Sequence, residues 1–311
     1  MWANLVLILM DEIALGATVF QREEKVASLL KSVSSDLPIS TVYIGDNGDI
    51  TDRKQEIYAD DYSFDLTVLD LEYDSGLGYS RQQIVKNSDE PYLLIVDSDV
   101  TIPKNVMDLY TILEAREDLG GVGGVLIEDS RIRGDSHDLF EEDSLLVKDI
   151  RGPKPVQKVE GHPLVEFDQI QNVTMYRREC VEDYTWDPEY RIGWEHTDFF
   201  VAQKHQTDWN FGVAPHVMFR HYPGGGETYM NDRLDKNRIQ HSKQYFLDKW
   251  DYDQVLIGQV NWLQTTSRMP SKVQLTEQLL KHGIMALPTE LQIAVMNFRD
   301  AWRRIQGKPP A

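Results

Sequence analysis

The run Tyr92-Leu93-Leu94-Ile95-Val96, followed at once by Asp97-Ser98-Asp99, constrains this chain more than any other stretch. A strand with no polar face must be covered on both sides, which is the situation of a central strand in a parallel sheet flanked by helices. The carboxylates then fall at its carboxyl end, where open α/β sheets bind ligands. A bare Asp-x-Asp means little in a chain with 51 Asp and Glu against 32 Lys and Arg. The buried strand before it and Val100-Thr101-Ile102-Pro103 after it give the pair its weight. Two carboxylates so placed suit a hard divalent cation that keeps open positions for phosphate oxygens.

Strand and helix signals alternate on either side of this landmark, as βαβ units do. Ile13–Phe20 reads as a strand, and 23–34 as a helix with Val26, Leu29, Leu30 and Val33 on one face. Thr41–Gly45 and Leu66–Leu69 read as further strands, with Asp46-Asn47-Gly48 as a turn and a helix running to about Asn87. Pro103 suits the start of the next helix, and 121–127 reads as another strand. The charged stretch 128–158 reads as an irregular excursion. Residues 10–248 are expected to form one α/β domain, and 249–311 a helical extension. In its last helix Leu291, Val295, Phe298, Trp302 and Ile305 recur at alternating four- and three-residue steps, a seam that requires a cover.

The net charge of −19 removes any electrostatic footprint for nucleic acid. An Asp-rich acidic surface also suits molar internal salt, hence a halophilic origin. Cys180 is the only cysteine, so no internal disulfide is possible and a reducing cytoplasm is the expected compartment. The apolar opening, 2–10, is far shorter than the ~20 residues of a membrane span.

Gly76-Leu77-Gly78-Tyr79-Ser80-Arg81, then the strand ending in Asp97-Ser98-Asp99 and the following Pro103, resembles the nucleotide-sugar half of glycosyltransferase family 2 over roughly residues 13 to 130. The resemblance implies a GT-A fold: a Rossmann-like, mostly parallel sheet flanked by helices. It places Thr18, Arg22 and Asp46 around the nucleotide, Arg81 near the base or pyrophosphate, Asp97 and Ser98 near the ribose and metal, and Asp99 as direct ligand of Mn2+ or Mg2+. His221, after the last core strand, fits a third metal ligand beside Asp97 and Asp99, with His216 as the nearby rival.

The stretch 186–200 is similar to the family's acceptor-side motif, in which an acid at the start of a helix deprotonates the attacking hydroxyl. Here the usual Glu-Asp reads Glu195-His196, and with Asp198 and the two phenylalanines after it the motif is similar to relatives of β-1,4-N-acetylgalactosaminyltransferases. A carboxylate desolvated beside Trp194 takes a proton near neutral pH, and a histidine does so without any shift. The order of preference is Glu195, Asp198, His196, although helix capping explains the latter two equally well. Tyr229 and Arg233, after the glycines 224–226, are placed to close over a diphosphate, and Trp194 is expected to line the nucleotide-sugar site with them.

The expected activity is inverting transfer of a sugar from a nucleoside-diphosphate sugar, a UDP-sugar first, to a sugar or lipid-linked acceptor. The tail, with Arg299, Arg303 and Arg304 near Trp302, permits peripheral contact at the cytoplasmic face of a membrane. Two other classes compete. A nucleotidyltransferase calls for a Gly- and basic-rich loop after the first strand, which Thr18-Val19-Phe20-Gln21-Arg22-Glu23 is not. A non-enzymatic acidic or cation-binding protein predicts no nucleotide binding.

Overall fold

Strand β1 (Ile13–Val19) is buried along its whole length, because helices cover both of its faces. The structure, a computed structural model, describes residues 12–129, 131–226, 229, 232 and 235–266, with isolated positions between 287 and 302. From β1 the chain runs through α1 (Glu23–Ser32), β2 (Thr41–Asp46), α2 (Asp52–Tyr58), β3 (Asp65–Asp70), α3 (Leu77–Asn87) and β4 (Tyr92–Asp97). These strands lie parallel in the order β3-β2-β1-β4. Helix α2 was not foreseen; Thr51 caps it by accepting from Lys54 N–H.

Alternation within each strand sorts the core into two layers. Leu15, Ala17, Leu94 and Val96 face α1 and Leu109 and Ile112 beyond it. Ala14, Leu93 and Ile95 face Ile84 of α3 and the aromatic cluster of Trp186, Phe199 and Phe200. This two-sided burial is what the unbroken apolar run of β4 demands.

After β4 come β5 (Val100–Thr101), α4 (Met107–Ala115), β6 (Leu119–Glu128), β7 (Arg131–Gly134), β8 (Asp138–Glu142), β9 (Leu145–Asp149), β10 (Gln157–Val159), β11 (His162–Glu166), β12 (Val173–Arg177), α5 (Arg178–Asp183), α6 (Glu195–Gln206) and β13 (Asn210–His221). Strand β12 inserts between β4 and β6, antiparallel to both, and β13 then pairs parallel with β6. In-register pairing sets Thr18 against Asp97 and Val19 against Asp46, so these groups share one end of the sheet.

Two expectations change. The stretch 128–158 is not irregular: β7 extends the main sheet from β6, and β8 pairs with β9. Leu145-Leu146-Val147 is fully buried there, an apolar run too short to stand out among its acidic neighbours. Nor does the segment after 248 begin as a helical extension. Past α7 (Lys236–Trp250), β14 (Gln254–Ile257) pairs with β9 and β15 (Leu263–Thr266) with β7, so the chain returns to complete both sheets. Of the five seam positions Ile305 lies outside the described residues; Leu291, Phe298 and Trp302 are exposed and Val295 is half-buried. Among the described residues no helix is long and apolar enough to cross a membrane.

Candidate active site

The carboxyl ends of β1 and β4 open into a cleft of about 130 Å³ bordered by Thr18, Arg22, Arg81, Asp97, Asp99, Glu195, His221 and Tyr229. Eight side chains singled out from sequence, spread over more than 200 positions, thus face one space.

Arg22 enters it through an unusual backbone. Gln21 and Arg22 are both left-handed, with φ of 55° and 66°, and Arg22 caps α1. Non-glycine residues hold that conformation at a cost of about 1–3 kcal/mol, a strain that tends to gather at functional sites. Its guanidinium donates to Asp99 Oδ2 at 2.5 Å and to Ser98 Oγ at 2.9 Å, and lies 4.4 Å from the Tyr229 ring centroid. Ser98 is fully buried and acts through Arg22.

Asp99 Oδ2 also faces His221 Nε2 at 3.4 Å, while His221 Nδ1 lies 2.9 Å from Glu128 Oε1. Burial opposes ionisation of Asp99, but the hydrogen bond and charge of His221 together with Arg22 hold its pKa down at about 2. Burial likewise works against the His221 cation, and the two carboxylates override it and raise the pKa. A carboxylate behind the distal ring nitrogen is the arrangement that orients metal-bound histidines. Asp97 turns instead to Arg81 NH2, 3.1 Å away, with its carboxylate 40% exposed. Asp97, Asp99 and His221 therefore share the cleft without forming one tight cluster. Two carboxylates and an imidazole backed by Glu128 are ligand types that a divalent ion takes.

Arg81 is completely buried and bridges the two halves of the chain, donating from NH2 to Asp97 and from NH1 to Glu195 Oε1, each at 3.1 Å. The amides of the loop before it are engaged within the protein. Gly76, with φ of 96°, caps α3 and its C=O accepts from Ser80 N–H, while Leu77 N and Gly78 N donate to the carbonyls of Arg191 and Tyr190. A Cβ at Gly78 would stand 2.0 Å from the Asp187 carbonyl oxygen. The glycines allow backbone to meet backbone where the two halves join.

Glu195 begins α6 after Gly193 and Trp194, both left-handed. Its Oε1 holds Arg81 and its Oε2 is buried with no partner. Asp198 is fully buried and takes hydrogen bonds from Tyr184 Oη, Tyr190 Oη, Lys249 Nζ and Trp250 Nε1, at 2.8 to 3.1 Å. Four donors leave it no lone pair for a substrate. His196 Nε2 donates to the Ile170 carbonyl, so Nδ1 of the neutral ring is bare, and it too is buried without a partner. Burial, then the charge of Arg81, pushes its pKa down to about 3. His196 borders a second cavity of about 320 Å³ that shares Asp97, Asn172 and His221 with the first.

Two expected donor-site residues lie elsewhere. Asp46 is wholly buried, with Lys54 Nζ at 2.8 Å and Tyr58 Oη at 2.5 Å, and braces the end of β2. Trp194 packs on Phe246, ring centroids 5.1 Å apart, away from the cleft. Arg233 lies outside the described residues. The cleft also holds residues the sequence reading passed over. Asn47 borders it with Oδ1 unpartnered, and Asp74, left-handed, is gripped by Arg238 at 2.7 and 2.9 Å. The left-handed conformations have no signature in composition, and Asn47 reads as an ordinary turn residue.

A parallel βαβ half, closed by the antiparallel β12 and facing α6 across one cleft, is the architecture of a GT-A glycosyltransferase. The chain belongs to glycosyltransferase family 2: the profile described as Glycosyl transferase family 2 matches residues 17–185, more than half its length. It is accordingly a glycosyltransferase. Its fold is similar to S. aureus TarS 1-349 in complex with UDP-GlcNAc, with 14% identity over 92% of this chain and 79% of that one and a TM-score of 0.53. It is also similar to the mannosyltransferase PcManGT from Pyrobaculum calidifontis in complex with GDP-Man and Mn2+, with 10% identity over 96% and 76% and a TM-score of 0.52. No curated protein matches the chain by sequence.

Proposed function

We propose that this enzyme transfers a sugar from a nucleoside-diphosphate sugar, a UDP-sugar first, to a hydroxyl of a glycan, polysaccharide or lipid-linked acceptor, with inversion at the anomeric carbon. The observation that carries the reading is the Asp97–Arg81–Glu195 chain, which joins the end of the donor-side strand to the start of the acceptor-side helix. The donor complexes of the two structural neighbours, with UDP-GlcNAc and with GDP-Man, support a nucleotide sugar as substrate. The acceptor-motif likeness to β-1,4-N-acetylgalactosaminyltransferase relatives makes an N-acetylhexosamine the first donor sugar to try.

In this mechanism Arg22, beneath Tyr229, and the buried Arg81 face the diphosphate with fixed donors, which suits charge that grows as the leaving group departs. Asp97, Asp99 and His221 would hold Mn2+ or Mg2+, which when bound supplies positive charge toward the phosphate oxygens. Glu195 Oε2 takes the proton of the acceptor hydroxyl as that oxygen bonds to the anomeric carbon. The bond from that carbon to the diphosphate oxygen breaks on the opposite face, and one displacement inverts the centre. Arg81, fixed to Oε1, keeps Oε2 as the free oxygen.

A second reading makes His196 the base, because the residue lines the second cavity, its buried Nδ1 has no partner, and it stands at the family's usual base position in this chain. Both readings place the acceptor where the two cavities meet, at Asp97, Asn172 and His221. Incubation with a panel of nucleotide sugars and Mn2+, with product mass spectrometry, tests the function. Failure to bind any nucleoside diphosphate by calorimetry would sink it.

A further inference from the structure

Away from both cavities, three side chains from three separate elements turn their donor atoms toward one point. His162 opens β11, His216 lies in β13, and Asp108 is in the first turn of α4. His162 Nδ1 and His216 Nε2 are 3.1 Å apart, His216 Nε2 and Asp108 Oδ2 are 3.1 Å apart, and His162 Nδ1 and Asp108 Oδ2 are 3.7 Å apart. We propose that Asp108, His162 and His216 form a transition-metal site, with Zn2+ the preferred ion, separate from the sugar-transfer cleft and independent of the function assigned to it.

The dimensions support this. Ligands at about 2.0–2.2 Å from a tetrahedral Zn2+ are separated from one another by roughly 3.3–3.5 Å. The observed triangle of 3.1, 3.1 and 3.7 Å is close to one face of that tetrahedron. Hydrogen bonding alone accounts for it poorly. His216 Nε2 faces both partners, so its single site must serve the carboxylate and the second imidazole together. A bound cation accepts all three lone pairs at once.

The local backbone is built to this end. The pairing of β13 with β6 shifts register between Val213 and Met218, and irregularities of this kind re-aim side chains. His216 lies within that shift, and its ring stacks on His162 at 5.1 Å and 16°. Asn105 Nδ2 donates to the His216 carbonyl at 3.1 Å and lies 3.4 Å from Asp108 Oδ2, tying ligand backbone to ligand side chain. The three side chains are 26–28% exposed, enough for an ion to enter and for water to complete its shell. Two imidazoles and one carboxylate favour Zn2+ over Mg2+ or Mn2+, which prefer oxygen ligands throughout. The ion would fasten α4 and β11 to β13, the strand that ends at His221.

The test is metal content by mass spectrometry after gel filtration with Zn2+, and the visible spectrum after reconstitution with Co2+. Wild type is expected to retain about one Zn2+ per chain and to give tetrahedral Co2+ bands. His216→Gln and Asp108→Asn should lose both, whereas His221→Gln should keep both. His162→Gln, at the start of a strand near the sheet edge, serves if the His216 variant fails to fold. Absence of bound Zn2+ in wild type, or its retention in His162→Gln with normal circular dichroism, overturns the site.

Discussion

Arg81 NH1 lies 3.1 Å from Glu195 Oε1, and these two buried residues are 114 positions apart in the chain. The contact engages Oε1 and leaves the buried Oε2 without a partner, so the proposed base is oriented by the residue that also reaches Asp97. Glu195→Gln preserves the contact with Arg81 and removes the ability to take a proton. It should lower kcat by about 10²–10⁴ while nucleoside-diphosphate affinity stays within a few-fold of wild type. If turnover survives in Glu195→Gln and is lost in His196→Ala, the base is His196.

Asp99→Ala should weaken nucleotide binding and turnover together, because it removes a proposed ligand and frees Arg22 from its anchor. Chelation should abolish transfer in wild type, and added Mn2+ or Mg2+ should restore it. Full activity in chelator would remove the ion from the mechanism.

Asp198→Ala is expected to act on stability. Its carboxylate satisfies four donors, including the Lys249 ammonium at 3.0 Å, and loss of one partner from a buried ion pair costs about 3–5 kcal/mol. Denaturant unfolding should show that loss, and a variant with wild-type stability and no turnover would return Asp198 to the list of bases.

Acid should act through Glu128. Burial works to raise its pKa, but hydrogen bonds from Arg131, His221 and Arg133 hold it down at about 2. A carboxylate with a depressed folded-state pKa contributes stability that is present above its unfolded pKa, about 4.3, and is lost as pH falls toward 2. Unfolding midpoints of wild type should therefore drop more steeply than those of Glu128→Gln between pH 5 and 3. Parallel curves would show that the cluster contributes nothing.

Gly78→Ala would force a Cβ to within 2.0 Å of the Asp187 carbonyl oxygen, so the loop or the 187–191 segment must move. Overpacking of this kind costs about 1–3 kcal/mol. A drop in melting temperature accompanied by a fall in kcat is expected, since Arg81 follows on the same helix. An unchanged melting temperature would show that the contact is loose.

How legible each part was in the sequence follows from how local its cause is. The apolar run of β4 announces burial on both faces and fixes Asp97 at a strand end, because neighbouring residues suffice for that inference. Glu195 was legible as the first residue of a helix. What placed Asp46 under Lys54 and Tyr58 is the docking of α2 directly after its strand, and what completed the donors around Asp198 is packing against Lys249 and Trp250, 51 and 52 positions away. In a chain so rich in carboxylates, those with buried partners look like those facing a ligand. The Asp108–His162–His216 cluster is hidden for the same reason: no spacing rule joins a helix to two strands 54 residues apart.

The insertion of β12 also sets an order of assembly. One edge of β4 is covered by β1 at once, but the other waits until residues 173–177 have been made and threaded between β4 and β6. Until then an almost wholly apolar strand has one row of unpaired amides open to any other chain, and such edges drive association. The parallel half is therefore no independent module. A fragment ending before residue 173 would carry both Asp97 and Asp99 and still present a sticky edge in place of a finished sheet.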